Sequence, residues 1–291
     1  MKSEKNILIA FILNLLFSFF EFFGGFITGS SAILSDAVHD LGDAASIGVS
    51  WLLEKKSRRQ ADVEHSCGYI RYSVLGSLVT TFILILGSAA VVLSGIGRMI
   101  SPIAIHYDGM ILFAVVGVLI NGFAAFFTRE GDSLNQKAVN LHMMEDVLGW
   151  VVVLAGAVVM RFADIVWLDP VLSIAVAVYI LIKALPNLKT VINLFLEKTP
   201  DDIHIPELME RLSSIEGIEE IHHIHIRSLD GYHHCANMHI VTQADPAPIK
   251  EKVRDVLMQY NIVHATLETE AEQCSRVHWL AVRPHHHGHM H

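Results

Sequence analysis

Two short segments, far apart in the chain, repeat the same pairing of an imidazole with a carboxylate. "LSDAVHDLGD" (34–43) contains His39 and Asp43, and "LHMMEDVLGW" (141–150) contains His142 and Asp146. On an α-helix, side chains four residues apart lie on one face in successive turns. Two such helices packed face to face would place two nitrogens and two carboxylate oxygens around one point, a donor set that suits tetrahedral Zn²⁺. Ca²⁺ would need more ligands, all of them oxygen, and Mg²⁺ an octahedron that retains water.

Further carboxylates accompany both pairs. Asp36 and Asp40 share the face of the first pair, and Glu145 lies beside the second. A buried charge costs at least about 3 kcal/mol at the centre of a bilayer, so this face must point to the bundle interior or to a water-filled cavity. These three carboxylates line an entry route, pair with a neighbouring helix or take up protons, and we do not assign them as ligands. A polar network that only holds helices together is the alternative, and the repetition of the motif favours a metal site.

The elements that position these residues are membrane-spanning helices. The chain has 291 residues, of which 52% are hydrophobic and 18% charged, and its mean hydropathy is +0.45. The apolar residues fall in runs of about 20, the length that crosses the hydrocarbon core of a bilayer. The first run lacks a small-residue cleavage site, so we interpret it as a span and not as a signal peptide. Six spans are predicted, at Ile7–Thr28, Ala32–Leu53, Ser73–Ile96, Met110–Thr128, Ala138–Arg161 and Pro170–Ile192.

Basic residues in the short loops predict the orientation of the bundle, because Lys and Arg accumulate on the cytoplasmic side. One side of the predicted bundle carries Lys2, Lys5, Lys55, Lys56, Arg58, Arg59, Arg71, Arg129 and Lys137. The other side carries Arg98 and Arg161. We therefore expect a multi-pass protein of the cell (inner) membrane with both termini in the cytoplasm.

A different pattern begins near Pro200. "IPELMERLSSI" is typical of an amphipathic helix, "EIHHIHIRS" and "CANMHIVT" alternate like strands around "LDGY", and "APIKEKVRDVLMQY" and "IVHATLETE" indicate a second helix and a third strand. The order α-β-β-α-β predicts a small α+β domain. We divide the chain into a six-span transmembrane domain (1–195), a cytoplasmic domain (196–283) and a His-rich tail (284–291). The Gly and Met in "PHHHGHMH" favour a native, metal-attracting tail over a cloning remnant.

The whole chain resembles the cation diffusion facilitator family, in particular its bacterial zinc-exporting members. The resemblance rests on "TGSSAILSDAVHDLGD", "HSCGYIRYS", "LHMMEDVLG", "ADIVWLDPVLSI", "FLEKTPDD", "IHHIHIRSLDG" and "HATLETEAEQC". It implies that His39, Asp43, His142 and Asp146 form the transport site. It also implies a homodimer, proton-coupled exchange and a cytoplasmic domain that resembles metallochaperones.

The loop after the second span departs from the family pattern. Some members carry a second metal site there, made of one Asp and two His. "ADVEHSCGY" keeps Asp62 and His65 but has Tyr69 in place of the second His. We therefore expect a weakened or absent loop site, with Cys67 as a possible soft replacement ligand. A second departure is Arg227, where members with the "HHxHxW" strand usually carry Trp.

The predicted sheet offers a further metal site, with two readings of the first strand. Strict alternation places His223, His225 and Arg227 on one face and His222, Ile224 and Ile226 on the other. The resemblance implies the ligand set His222, His239, Glu268 and Glu270, followed by Cys274. Alternation favours His223 in place of His222, and a solvated polar face without metal is a third reading. The sequence leaves all three open.

These observations predict the proton-coupled export of a divalent transition metal, most of all Zn²⁺, from the cytoplasm. Zn²⁺ is then substrate and a candidate regulatory ligand, and the partners are metal ions, protons, lipid and a second copy of the chain. A net charge of −9 argues against nucleic-acid binding, and three cysteines without a CxxC pair give no disulfide framework. We expect no enzymatic activity and assign no catalytic or cofactor-binding residue, since an intramembrane metalloprotease would need an HExxH motif that the sequence lacks. A non-transporting metal sensor, or a transporter with Cd²⁺, Co²⁺ or Fe²⁺ as main cargo, is the alternative.

Overall fold

The computed structural model describes residues 2–28, 31–100, 107–130, 133–162 and 168–272 of the chain. They divide into two compact units, Met1–Val191 and Ile192–His291. Within the described ranges, six long helices make up the apolar part of the chain. They are α1 (Lys2–Thr28), α2 (Ser31–Ser57), α3 (Arg71–Ile100), α4 (Tyr107–Thr128), α5 (Leu134–Phe162) and α6 (Leu168–Phe195).

Five of these helices are long and apolar enough to cross a membrane, namely α1, α3, α4, α5 and α6. The remaining helix, α2, has 27 residues and is therefore about 40 Å long, sufficient to span a bilayer. Its aspartates lower its hydropathy, but it packs between α1 and α3, so we count it as the sixth span. The helical membrane region predicted from the sequence is confirmed.

An apolar cluster joins the helices that carry the two His–Asp pairs to their neighbours. It brings together residues of α1, α2, α4 and α5, namely Ile7, Ala10, Ile47, Ala124, Ala125, Val139 and Met143. Further along α1 and α5, the rings of Phe17 and Trp150 pack edge to face, with their centroids 5.4 Å apart. Gly117 lets α4 approach this indole, because a Cβ there would lie 2.5 Å from the Trp150 ring. The two helices that carry the pairs, α2 and α5, are thus packed closely with α1 and α4.

The third helix presents a stripe of small residues to its neighbours. Its buried positions are Ser73, Val74, Gly76, Ser77, Thr80, Thr81, Leu84, Ser88 and Gly95. Leu84 packs with Ile180 and Ala184 of α6, and the Asn187 amide donates to the Thr81 hydroxyl at 2.7 Å. Small side chains allow close approach of helices, and interhelical hydrogen bonds then link them, as is usual in membranes.

The second unit has the predicted order α-β-β-α-β. Its elements are α7 (Ile205–Ser213), β1 (Glu220–Ser228), β2 (His234–Val241), α8 (Pro246–Met258) and β3 (Ile262–Glu270). The strand order is β1-β2-β3, with β1 and β2 antiparallel and β2 and β3 parallel, so that α8 forms the crossover. One face of the sheet packs on the apolar sides of α7 and α8, for example through Leu208, Met238 and Val253. The opposite face carries the polar side chains considered below.

Candidate metal centres

Three of the four residues predicted to form a transport site come together inside the helical bundle. Asp43 of α2 and His142 and Asp146 of α5 offer ligand atoms that all lie within 4.8 Å of one another. His142 Nε2 is 3.5 Å from Asp43 Oδ1. His142 and Asp43 are only 3% and 8% exposed. The i, i+4 spacing places His142 and Asp146 on successive turns of α5, as the sequence predicts.

The environment of His142 fits a metal ligand. Neither ring nitrogen has a hydrogen-bond partner among the described residues, although the side chain is buried. An imidazole without a hydrogen bond in a buried position carries a desolvation cost that a metal ion would remove. The neighbouring carboxylates of Asp43 and Asp146 repel each other at this distance unless a cation lies between them. A divalent cation resolves both conflicts.

Four further residues of this region were singled out from the sequence, two on α2 near Asp43 whose side chains are not described, and two that are. His39 is in α2, one turn before Asp43, but its side chain lies outside the described part of the chain, as does that of Asp36. Asp40 is half-buried. Glu145 accepts a hydrogen bond of 2.6 Å from the Ser88 hydroxyl of α3. Glu145 therefore links α5 to α3.

A second group of possible ligands lies on the open face of the sheet. His222, His239 and Glu270 also place ligand atoms within 4.8 Å of one another. His239 Nδ1 is 2.6 Å from Glu270 Oε1, and His222 Nε2 is 3.4 Å from Glu270 Oε2. Glu268 lies on the solvent side, with Oε2 at 3.3 Å from His239 Nε2. Cys274 lies outside the described residues.

A β-bulge explains why His222 belongs to this group, contrary to strict alternation. The register between β1 and β2 shifts between His222 and His225, and His223 has a φ of 53°, a backbone conformation in which one extra residue is accommodated. Ile221 and Ile224 are therefore both buried, and His222 lies on the open face opposite His239. The alternation that grouped His222 with Ile224 and Ile226 is corrected on this point.

His223 occupies the bulge itself. Its ring stacks on that of His239 with centroids 4.9 Å apart and an interplanar angle of 25°. It is next to the cluster without being one of the three gathered residues. Of the two readings of β1, the geometry therefore favours His222 as the ligand and gives His223 a packing contact.

The loop between α2 and α3 gathers no comparable set of ligands in the described part of the chain. Asp62 accepts hydrogen bonds from the Tyr69 hydroxyl at 2.6 Å and from the backbone N–H groups of Glu64 and His65 at 3.0 and 2.8 Å. The Tyr69 hydroxyl, and then the His65 N–H, hold the pKa of the Asp62 carboxyl below its usual range. His65 Nδ1 is 3.9 Å from Asp62 Oδ1, and Cys67 is exposed. The carboxylate is thus already satisfied by donors of the protein.

The aromatic rings in and next to this loop stack on one another. The ring of His65 stacks on Tyr69 at 4.1 Å, and Tyr69 stacks on Tyr72 at 5.6 Å. Lys56 and Arg59 lie over the Tyr72 and Tyr69 rings, at 4.1 and 5.2 Å from the centroids. Such cation–π contacts stabilise exposed sites by about 0.5–1 kcal/mol each. Tyr69, which replaces the family's second His, is the centre of this packing.

The sequence reasoning missed one buried polar cluster. Glu54 of α2 is 2% exposed and accepts hydrogen bonds from Ser73 of α3 and Asn135 of α5. Its partners are distant in the chain, so no local spacing indicates them. The signal in the sequence is a glutamate directly after the apolar run that ends at Leu53.

The comparisons with known proteins agree with this architecture. Residues 7–196 match the family model of the cation efflux transmembrane domain, and residues 200–272 match that of the cation efflux protein, cytoplasmic domain. The chain is 31% identical to the zinc transporter ZitB of Yersinia pestis, over 99% of this chain and 96% of that protein. It is 29% identical to the cadmium, cobalt and zinc/H(+)-K(+) antiporter of Bacillus subtilis, over 93% and 90% of the two chains. It is 28% identical to the metal cation efflux system protein CzcD of Cupriavidus metallidurans, over 94% and 89%.

The chain therefore belongs to the cation efflux family, and the resemblance to bacterial cation diffusion facilitators is confirmed. It is a multi-pass membrane protein of a transporter family, with a C-terminal domain of the family's cytoplasmic type.

Proposed function

We propose that this protein exports Zn²⁺ from the cytoplasm in exchange for protons. The observation that carries the proposal is the buried group of Asp43, His142 and Asp146. Relatives that match nearly the whole chain are named as zinc transporters, and the B. subtilis relative as an antiporter that uses protons. Family membership supports cation efflux, and the donor set supports zinc as the first candidate among transition metals.

We assign His39 as the fourth ligand. It is one helical turn before Asp43, on the same helix and the same face. Together with His142 it would complete a set of two imidazoles and two carboxylates. Two nitrogen donors disfavour Mn²⁺, while Cd²⁺ and Co²⁺, which appear in the name of the B. subtilis relative, are the cargoes most able to compete.

Proton coupling follows from the chemistry of these ligands. Imidazole must be neutral and carboxylate ionised to bind a metal, so metal and protons exclude each other at the site. Metal binds when the site faces the cytoplasm, where the proton concentration is lower. Protons release it when the site faces the opposite side. The bundle alternates between these two states, and each must bind its own ligand better for net exchange to occur.

We further propose that both termini lie in the cytoplasm of a cell whose inner membrane holds the bundle. The excess of Lys and Arg on the side of the 58–70 loop supports this orientation. The division into a transmembrane domain (1–195), a cytoplasmic domain (196–283) and a His-rich tail (284–291) stays a prediction from the change in sequence pattern near Pro200. We expect two copies of the chain to assemble as a homodimer.

The open face of the sheet is proposed as a regulatory zinc site. His222, His239 and Glu270 form its core, with Glu268 on its solvent side. Their exposure gives zinc access from the surrounding solution. Zinc bound there would favour transport only if it binds the transporting arrangement of the dimer better than the resting one.

Metal-driven proton flux in proteoliposomes tests the proposed function. The purified protein is reconstituted in sealed vesicles that contain a pH indicator. On addition of Zn²⁺ outside, protons should leave the vesicles at a rate that saturates with the zinc concentration. Simultaneous zinc uptake should be followed with a fluorescent chelator. Zinc binding without either flux would identify a sensor and contradict the proposal.

A further inference from the structure

A buried polar cluster joins the C-terminal end of α2 to the N-terminal ends of α3 and α5. We call it the Glu54 clamp and define it as Ser50 and Glu54 of α2, Ser73 of α3 and Asn135 of α5. Ser50 and Asn135 are 0% exposed, Glu54 is 2% and Ser73 is 4% exposed. A carboxylate so deeply buried is costly unless donors surround it, so its contacts identify what the cluster does.

The hydrogen bonds of the clamp run between helices. The Ser73 hydroxyl donates to Glu54 Oε2 at 2.6 Å, and the Asn135 amide donates to the same oxygen at 3.3 Å. The Asn135 amide also donates to the Ser50 carbonyl at 2.9 Å, and the Ser50 hydroxyl donates to Asn135 Oδ1. Arg58 reaches the second carboxylate oxygen of Glu54 at 3.3 Å. The groups of α2 thus bond to both other helices, through Ser73 of α3 and through Asn135 of α5.

The clamp connects the same two helices that carry the metal ligands. Glu54 follows Asp43 on α2 by three helical turns, about 16 Å along the axis. Asn135 precedes His142 on α5 by two turns, about 10 Å. The clamp therefore lies between the metal site and the end of the bundle at the 58–70 loop. A route for an ion between α2 and α5 from that end would pass the clamp.

The chemistry of the clamp suits an element that opens. A buried ion pair or polar network usually adds little to stability compared with apolar residues of the same volume. Its groups can be rehydrated when the helices separate, because each typical hydrogen bond contributes only about 0.5–1.5 kcal/mol net. The apolar cluster of Ile47, Val139 and Met143 already packs α2 against α5. The polar clamp therefore acts in addition to this apolar packing.

We propose that the Glu54 clamp is the gate on the loop side of the metal path, and that Glu54 and Asn135 are positioning residues for transport. In the described structure the gate is closed. It opens when α2 separates from α3 and α5, which breaks the bonds of Ser73 and Asn135 to Glu54. This inference rests on the proposed function, because it assigns a route to the metal that the function requires.

Gly76 of α3 shows how tightly the gate is fitted. A Cβ on Gly76 would lie 2.6–2.7 Å from three side-chain atoms of Asn135. Asn135 cannot retreat easily, since its amide is bound to both Ser50 and Glu54. Gly76→Ala should therefore displace Asn135 and loosen the clamp. Gly87 of the same helix has nothing within 4 Å of such a Cβ, so Gly87→Ala is a matched control.

Sided thiol labelling tests the gate. Ser46 of α2 is 4% exposed and lies one turn from Ser50 toward Asp43. Ser46→Cys, in the full chain with Cys67, Cys235 and Cys274 replaced by Ser, is reconstituted in vesicles and treated with a membrane-impermeant cationic methanethiosulfonate from either side. Asn135→Ala and Gly76→Ala should raise the labelling rate about tenfold from the 58–70 loop side, the effect of losing one or two hydrogen bonds. Labelling from the opposite side and labelling of Gly87→Ala should stay at the parent rate.

Three outcomes would overturn the gate. They are an unchanged rate in both clamp variants, an equal rise from both sides, and an equal rise in Gly87→Ala. If Asn135→Ala does not accumulate in the membrane, Gly76→Ala and Ser73→Ala carry the test. Equilibrium dialysis should show that the clamp variants bind as many zinc ions as the parent. Absence of zinc flux in the parent would contradict the proposed function, whereas the labelling pattern reports on the gate independently.

Discussion

The bundle and the sheet each gather imidazoles and carboxylates, but they do so by different means and in different surroundings. In the bundle, the side chains of Asp43 and His142 are 11% and 4% exposed. On the sheet, the side chains of His222, Glu270 and His239 are 13%, 18% and 24% exposed. Helical periodicity aligns the first group, whereas a bulge and cross-strand pairing align the second.

This difference predicts unequal consequences of substitution. Removal of one ligand from the bundle leaves other charged groups buried without a counterion, which is costly. Removal of a ligand from the sheet exposes the remaining groups to water, which solvates them. The bundle group should therefore decide whether transport occurs, and the sheet group should only adjust its dependence on zinc.

The largest effect is expected at the bundle. Asp146→Ala should lower zinc flux by more than about 100-fold. Substitution of a residue that only hydrogen-bonds to a metal ligand already lowers metal affinity by about 10–100-fold, and the loss of a ligand itself should cost more. The protein should still reach the membrane. Flux in proteoliposomes and membrane abundance measure the two effects. Glu130→Gln, at an exposed position two residues after α4, is the control. Flux near the parent level in Asp146→Ala would exclude this residue as a ligand.

A change of donor type in the bundle should alter selectivity with less loss of rate. His39→Asp replaces a nitrogen with a harder oxygen donor, which shifts the site away from the set that suits Zn²⁺. Cd²⁺ and Mn²⁺ should then compete with zinc a few-fold better than in the parent. Competition of each metal with zinc uptake measures this. An unaltered order of competition would argue against His39 as a selecting ligand.

On the sheet, combined substitution of His239, Glu268 and Glu270 by Ala should raise the zinc concentration for half-maximal flux a few-fold. The maximal rate should be preserved, because these residues only bias an equilibrium. Equilibrium dialysis should show fewer bound zinc ions per chain. Asn237→Ala, on the same face between His225 and Thr266, is the control. If zinc stoichiometry and the flux curve both match the parent, the face is a solvated surface.

The loop between α2 and α3 allows the opposite experiment, in which a substitution adds a metal site. Tyr69→His would add an imidazole beside Asp62 and His65 and free the Asp62 oxygen that the Tyr69 hydroxyl now occupies. One additional zinc ion per chain is expected in equilibrium dialysis, with little change in flux. No gain in bound zinc would show that this loop cannot form the site even with the full family pattern.

Tyr69→Phe is the matched control for the loop, since it removes the hydroxyl without adding a ligand. The pKa of the Asp62 carboxyl is lower in the folded loop than in the unfolded chain. The ionised carboxylate therefore stabilises the fold fully at pH values above the pKa that Asp62 has in the unfolded chain. This stabilisation is lost as pH falls through the folded pKa. Tyr69→Phe should raise the pKa of Asp62 and shift that loss to higher pH, which carboxyl-carbon NMR titration measures.

The smallest effect is expected from the tail. Deletion of residues 285–291 should leave flux at saturating zinc unchanged, because consecutive histidines do not follow the spacing of a helix or strand and at most raise the local zinc concentration. These residues lie outside the described part of the chain. Zinc-dependent flux of the truncated protein measures the effect, and a reduced maximal rate would assign the tail a direct role in transport.

The sequence by itself determined the elements and most of the bundle site. Long apolar runs predict spans because a bilayer requires helices of a minimum length, and the spacing of His142 and Asp146 fixes their common face. The α-β-β-α-β order was equally readable from local alternation and turn residues. These properties depend on neighbours within a few positions, which is the range over which sequence patterns are informative.

Only the tertiary structure decided which histidine of β1 joins the sheet cluster and what surrounds Glu54. A single extra residue at the bulge inverts the faces of β1, and alternation alone cannot reveal it. Glu54 and Asn135 are 81 positions apart, so their contact depends on how α2 and α5 pack and on the absence of a side chain at Gly76. Spacing along the chain predicts which residues share a face, and packing between distant elements decides what that face meets.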